Sequence, residues 1–91
     1  QANYKQFMAY KQLTKLIREK IQRKETIETK VLNLYEASNP SFYYVYEILG
    51  DYYAAIQQTD TAITYWQKAL TMPIPKQAEK VRIQQKINKK Q

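Results

Sequence analysis

Apolar residues return every three or four positions through most of the chain, the period of an amphipathic α-helix. Phe7, Tyr10, Leu13, Leu16, Ile17 and Ile21 share one stripe and predict a helix over residues 3–23, with Asn3 as its N-cap. Lys11, Lys15, Arg18 and Lys20 fall mainly on its outer faces. Ile27, Val31, Leu34 and Tyr35 form a second stripe and predict a helix over 26–37. Neither Gly nor Pro stands in residues 22–25, so that segment either separates two helices or bends a single long one.

Ser38-Asn39-Pro40 is a stop followed by a restart. Proline disfavours helical geometry in the residue before it but suits the first helical position, so Asn39 is expected to cap a third helix over 40–57. Gln58-Thr59-Asp60 turns the chain, with Thr59 as the cap of a fourth helix ending near Thr71. Met72-Pro73-Ile74-Pro75 reads as extended, and a fifth helix follows over 75–89 with Ala78, Val81 and either Ile74 or Ile87 facing inward. The fold class is all-α, with about five helices in segments 1–38, 39–74 and 75–91.

The third and fourth predicted helices carry Tyr46-x2-Leu49-Gly50-x2-Tyr53 and then Ala62-x3-Trp66-x2-Ala69, ahead of Pro73 and Pro75. This resembles the tetratricopeptide repeat over about 34 residues, with Tyr46 in place of the usual Trp and the closing proline offset by one. In such a hairpin Leu49 and Tyr53 fill the groove between the helices, Gly50 and Ala62 allow close approach, and Trp66 is the large plug. The first segment looks like a degenerate copy. Tyr10, Leu13 and Ile17 precede Tyr46, Leu49 and Tyr53 by 36 residues, and Ile27, Val31 and Leu34 precede Ala62, Trp66 and Ala69 by 35. The resemblance implies a short right-handed solenoid of helical hairpins closed by a basic capping helix.

A further run, Ser38 to Tyr44 with Gly50-Asp51-Tyr52-Tyr53 and Ile74-Pro75, is similar to the C-terminal repeat segments of some bacterial acyltransferases of the isopenicillin-N acyltransferase-like, N-terminal-nucleophile type. The catalytic Cys of that family has no counterpart here, so this resemblance implies a non-catalytic accessory domain. The opening Gln-Ala-Asn-Tyr, without Met or an apolar leader, agrees with a piece of a longer protein.

Charge adds a second layer. Net charge is +7, but residues 1–30 carry +5, residues 31–67 carry −4 with no Lys or Arg, and residues 68–91 carry +6. An acidic, tyrosine-rich centre therefore lies between two basic ends, a pattern that bears on partners rather than on fold. With no His and no Cys, the commonest acid–base and nucleophilic groups are missing, and a single Gly excludes a glycine-rich phosphate loop. The carboxylate pairs Glu25/Glu28 and Glu47/Asp51 read as solvated surface charge. No cofactor or metal is implied, and no apolar run approaches the ~18 residues of a membrane span.

The expected function is a non-catalytic interaction or scaffold module. Its partner would be a protein or peptide, or another domain of the same chain. The candidate contact row on the third helix is Tyr44, Glu47, Ile48, Asp51 and Ala55. Its two acids, far from any local cation in sequence, favour a polar or basic segment and disfavour an acidic C-terminus. The alternative class is nucleic-acid binding through Lys76, Lys80, Arg82, Lys86, Lys89 and Lys90, although these lack interleaved exposed aromatics for stacking.

Overall fold

The computed structural model describes residues 4–91. Five α-helices follow one another: α1 (Tyr4–Arg23), α2 (Thr29–Ser38), α3 (Tyr43–Ala55), α4 (Thr59–Leu70) and α5 (Gln77–Lys90). The predicted Asn3 cap lies outside the described residues. The Cα radius of gyration is 12.8 Å, close to the ~12 Å expected of a globular chain of this length. No helix among the described residues is long and apolar enough to cross a membrane.

The chain breaks between α1 and α2 without a glycine. Lys24 takes a left-handed conformation with φ of 56°. Its N–H bonds to the carbonyl of Ile21, and the N–H of Glu25 reaches back to that of Lys20. This pair of bonds is the Schellman closure of a helix C-terminus. The turn from α3 to α4 repeats it. Gln57 has φ of 68°, its N–H bonds to Ala54, and the N–H of Gln58 bonds to Tyr53. The connection after α1 is further held by the Ile27 N–H, which donates to the Tyr52 hydroxyl at 2.9 Å.

Helix α3 is the centre of the molecule. Tyr43, Val45, Tyr46, Ile48, Leu49 and Tyr52 are all buried, because α4, α1 and α2 pack against it and α5 reaches it through the Arg82 and Lys86 side chains. Each such side chain contributes roughly 1.5–3 kcal/mol of hydrophobic stabilisation. Ile17 from α1, Leu32 and Tyr35 from α2, Ala62, Trp66 and Ala69 from α4, and Ile83 and Ile87 from α5 complete the core. The buried tyrosines keep their hydroxyls bonded, as burial requires. Thr14 donates to Tyr35 at 2.8 Å, and Tyr46 donates to the Pro40 carbonyl at 2.8 Å.

Gly50 faces the Trp66 ring at contact distance. A Cβ built there would lie 2.4 Å from both Cδ1 and Nε1 of the indole. The ring cannot swing away easily, since its Nε1–H is held by Asp51 Oδ1 at 3.1 Å and by the Glu47 carbonyl at 3.3 Å. Tyr46 and Leu49 are 1% exposed and Ala62 and Ala69 fully buried. Tyr53 is only half-buried and stacks on Tyr65 with ring centroids 5.4 Å apart.

Several expectations are corrected. Asn39 does not cap α3; it closes α2 through an N–H bond to Glu36, and Phe42 precedes α3 without a side-chain cap. Thr59 is the first residue of α4, after Gln58. Helix α2 is rotated so that Leu32 and Tyr35 are inward and Leu34 is 60% exposed. In α5 Ile87 is buried as expected and Ile83 joins it, whereas Ala78 and Val81 are exposed. Of the α1 stripe, Phe7 is 54% and Leu16 38% exposed. The two left-handed turn residues, Lys24 and Gln57, are 33 positions apart.

Two outcomes follow for stability. Gln57→Gly removes the side chain from a left-handed position and should stabilise by about 0.5–1 kcal/mol after the extra flexibility of the unfolded chain is counted. That is a rise of roughly 2–8 °C in Tm by circular dichroism. Gly50→Ala should instead destabilise by ~1–3 kcal/mol, because overpacking against Trp66 outweighs the gain in helix propensity. Denaturant titration measures this, and an unchanged midpoint would refute the close contact.

Candidate functional site

A groove of about 310 Å³ opens where α1, α3 and α5 meet. Its α3 wall is made by Tyr44, Glu47, Ile48 and Asp51, which recur at three- and four-residue steps and so lie along one helix face. Arg18, Ile21 and Gln22 come from α1, and Arg82 and Lys86 from α5.

Glu47 is 2% exposed, the one buried charged side chain among the described residues. A carboxylate in that position costs several kcal/mol unless it is paired and fully hydrogen-bonded. Helix α5 supplies the partners. Arg82 donates from Nε to Oε2 at 2.8 Å and from Nη2 to Oε1 at 2.7 Å, a two-pronged guanidinium–carboxylate pair. Lys86 Nζ adds a bond to Glu47 Oε2 at 2.7 Å and reaches both oxygens of Asp51 at 3.0 Å. Two acids four apart on α3 thus meet two cations four apart on α5. At the end of the same interface the Tyr43 hydroxyl donates to Glu79.

The α1 wall is joined to α3 by a lighter contact, Arg18 Nη1 donating to the Tyr44 hydroxyl at 3.0 Å. Phe42, Tyr43 and Tyr44 form an edge-on aromatic cluster beside it, which restricts the Tyr44 ring.

Electrostatics follow from this geometry. Burial disfavours the charged form of Glu47, but the hydrogen bonds from Arg82 and Lys86 outweigh it and hold its carboxyl below the ordinary 4.5. Burial dominates at Asp51 and pushes its carboxyl above the ordinary 3.8, despite Lys86 and the indole N–H. The hydrogen bond to Glu47 raises the guanidinium pKa of Arg82 further. The Tyr43 hydroxyl is pushed up to about 12, by burial and then by its bond to Glu79.

Of the contact row read from the sequence, Tyr44, Glu47, Ile48 and Asp51 line the groove and Ala55 does not. Glu47 and Asp51 are not an open acidic face, since cations from the same chain cover both. Arg18, Gln22, Arg82 and Lys86 were not in that row. The signal for the last two was present: Arg82 and Lys86 repeat the four-residue spacing of Glu47 and Asp51 with opposite sign. Among the described residues no group of three His, Cys, Asp or Glu side chains could hold a metal ion. No family model, curated protein or solved structure matches this chain.

The pH response has a definite sign. The folded Glu47 carboxyl lies below its ordinary value, so the stability it contributes is complete above that value and is lost as pH falls through the folded one. Asp51, raised by burial, works in the opposite direction. Glu47→Gln should cost about 1–3 kcal/mol at neutral pH, where it leaves Arg82 without its anion. It should also flatten the loss of stability below about pH 4.5. Urea midpoints measured from pH 7 to pH 3 test both effects; parallel curves for the two proteins would exclude Glu47 as an acid-labile anchor.

Proposed function

We propose that this chain is a non-catalytic interaction module of tetratricopeptide type that holds a polypeptide segment in the groove between α1, α3 and α5. The observation that carries the reading is the groove itself. Alternate helices contribute to it, and rigid groups converge there: the Tyr44 ring, the Ile21 and Ile48 side chains, and cations anchored by the buried Glu47. A rigid aromatic beside fixed charges is the usual make-up of a binding hot spot.

The repeat reading is supported by three features. Gly50 gives Trp66 the space that such a hairpin needs. Both hairpin turns close with the same pair of hydrogen bonds, at Lys24 and Gln57. Helices α3 and α5 begin 34 residues apart, at Tyr43 and Gln77, the length of one repeat. On this reading α1/α2 and α3/α4 are successive hairpins of a short right-handed solenoid, and α5 is the basic cap.

A second reading has its own support. Tyr4, Phe7 and Leu34 are 75%, 54% and 60% exposed. A mainly apolar groove of about 270 Å³ between α1 and α2 includes Ala9, Leu34 and Ala37. Such a face suits a buttress against a neighbouring domain, as in an accessory segment of a bacterial acyltransferase. The nucleic-acid alternative is weakened because Arg82 and Lys86, two of its six cations, are committed to Glu47 and Asp51.

Titration of the isotope-labelled chain with a mixed peptide library, followed by NMR, should shift amides of Ile21, Tyr44 and Ile48. Tyr44→Ala should weaken binding by about 1–2 kcal/mol while leaving the fold intact. Shifts confined to Tyr4, Phe7 and Leu34 would instead favour the buttress.

A further inference from the structure

We infer that the segment held by this groove is acidic, and that it lies extended along α1. The inference rests on the polypeptide-binding reading above and names its partner chemistry.

The first observation is the sign of the site. The sequence places two acids on α3 and no cation near them, but the fold brings Arg82 and Lys86 onto those acids. Both carboxylates are thereby neutralised, and Arg18 on the opposite wall is left over. Arg18 has Tyr44 as its hydrogen-bond partner and forms no ion pair among the described residues. The groove therefore presents net positive charge to an incoming chain.

The second observation is where the positive charge continues. A depression of about 370 Å³ adjoins the groove and shares Arg18 and Gln22 with it. It is lined by Lys11 and Lys15, so Lys11, Lys15, Arg18 and Gln22 follow at steps of four, three and four along one face of α1. Lys11 and Lys15 are exposed and, among the described residues, neither is ion-paired; Glu19 is the single acid of that depression. Unpaired cations in a row at the mouth of a groove attract an anionic partner and speed its encounter.

Dimensions select the form of the partner. Lys11 and Lys15 are about 6 Å apart along the axis, from four residues at ~1.5 Å each. Alternate side chains of an extended polypeptide are about 6.6 Å apart on one face. Acidic residues at every second position would therefore meet successive cations of α1. Beyond Arg18 the lining changes to Ile21, Tyr44 and Ile48, which suit an apolar residue after the acids. A nucleic-acid strand fits less well. Tyr44 is the one aromatic in the lining, and its hydroxyl is already bonded to Arg18, so the groove offers no row of rings on which successive bases could stack.

The test uses three fluorescein-labelled twelve-mers read by anisotropy: a peptide of alternating Glu and Ser ending in Leu, the same peptide with Lys for Glu, and a single-stranded RNA. The acidic peptide should bind best, and Lys11→Glu/Lys15→Glu should weaken it about tenfold or more with an unchanged circular dichroism melt. Arg18→Gln is the second variant and should weaken binding several-fold without altering the Arg82–Glu47 pair. Preference for the basic peptide would overturn this inference yet leave the polypeptide-binding reading standing. Preference for RNA, lost in the same charge reversal, would overturn both. Acidic-peptide binding indifferent to the charge reversal and to Arg18→Gln, or no binding of any of the three, would also overturn the inference.

Discussion

A carboxylate buried in the most central helix dictates how the last helix must sit. Glu47 has α1 and α4 around its helix and almost no contact with water. Its charge can persist there only if cations arrive with the right geometry, and the planar fork of Arg82 supplies two bonds at once. That requirement fixes the rotation of α5 about its own axis. Once Arg82 and Lys86 point at α3, Ile83 and Ile87 must point into the core and Val81 must face solvent. The apolar content of α5 is too small to specify this alone. Helix α5 is placed by a polar pair and then sealed by two isoleucines.

The same carboxylate is linked to the other half of the molecule through Trp66. The indole N–H is shared between the Glu47 carbonyl and Asp51, and Asp51 in turn shares Lys86 with Glu47. Gly50 lies between Glu47 and Asp51 in sequence and is the point where the indole touches the α3 backbone. Packing of α4 and docking of α5 therefore act on one turn of α3. Disturbing either should be felt at the other, since hydrogen-bonded networks of this kind are not additive.

The helices and the central hairpin were legible in the sequence because they rest on local signals. Prolines and the three- and four-residue apolar period marked where helices run, and the small residues Gly50 and Ala62 marked where two of them touch. What escaped was non-local. Leu34 looked inward and is exposed because a stripe of alternating large residues, with Tyr35 adjacent, leaves the rotation of α2 to its neighbours. The turns themselves were hidden, since Lys24 and Gln57 occupy left-handed positions where glycine would have announced them. At the site, Tyr44, Glu47, Ile48 and Asp51 were visible as a row on one helix, but their partners on α1 and α5 lie 26 to 39 positions away.

That distance explains how a chain can mislead about the charge of its own site. Summed along the sequence, the centre is acidic and the ends are basic. Folding superimposes them, because a buried acid is tolerable only beneath a cation, and the basic end is where cations are found. Charge at the groove is then set by what remains unpaired rather than by what is nearest in sequence. Arg82 and Lys86 are consumed by the fold, Glu47 and Asp51 with them, and the residual sign comes from α1, where Lys11, Lys15 and Arg18 form no ion pair among the described residues. The acids of α3 therefore hold Arg82 and Lys86 in place on the α5 wall and cancel their charge, so the unpaired cations beside the groove are those of α1.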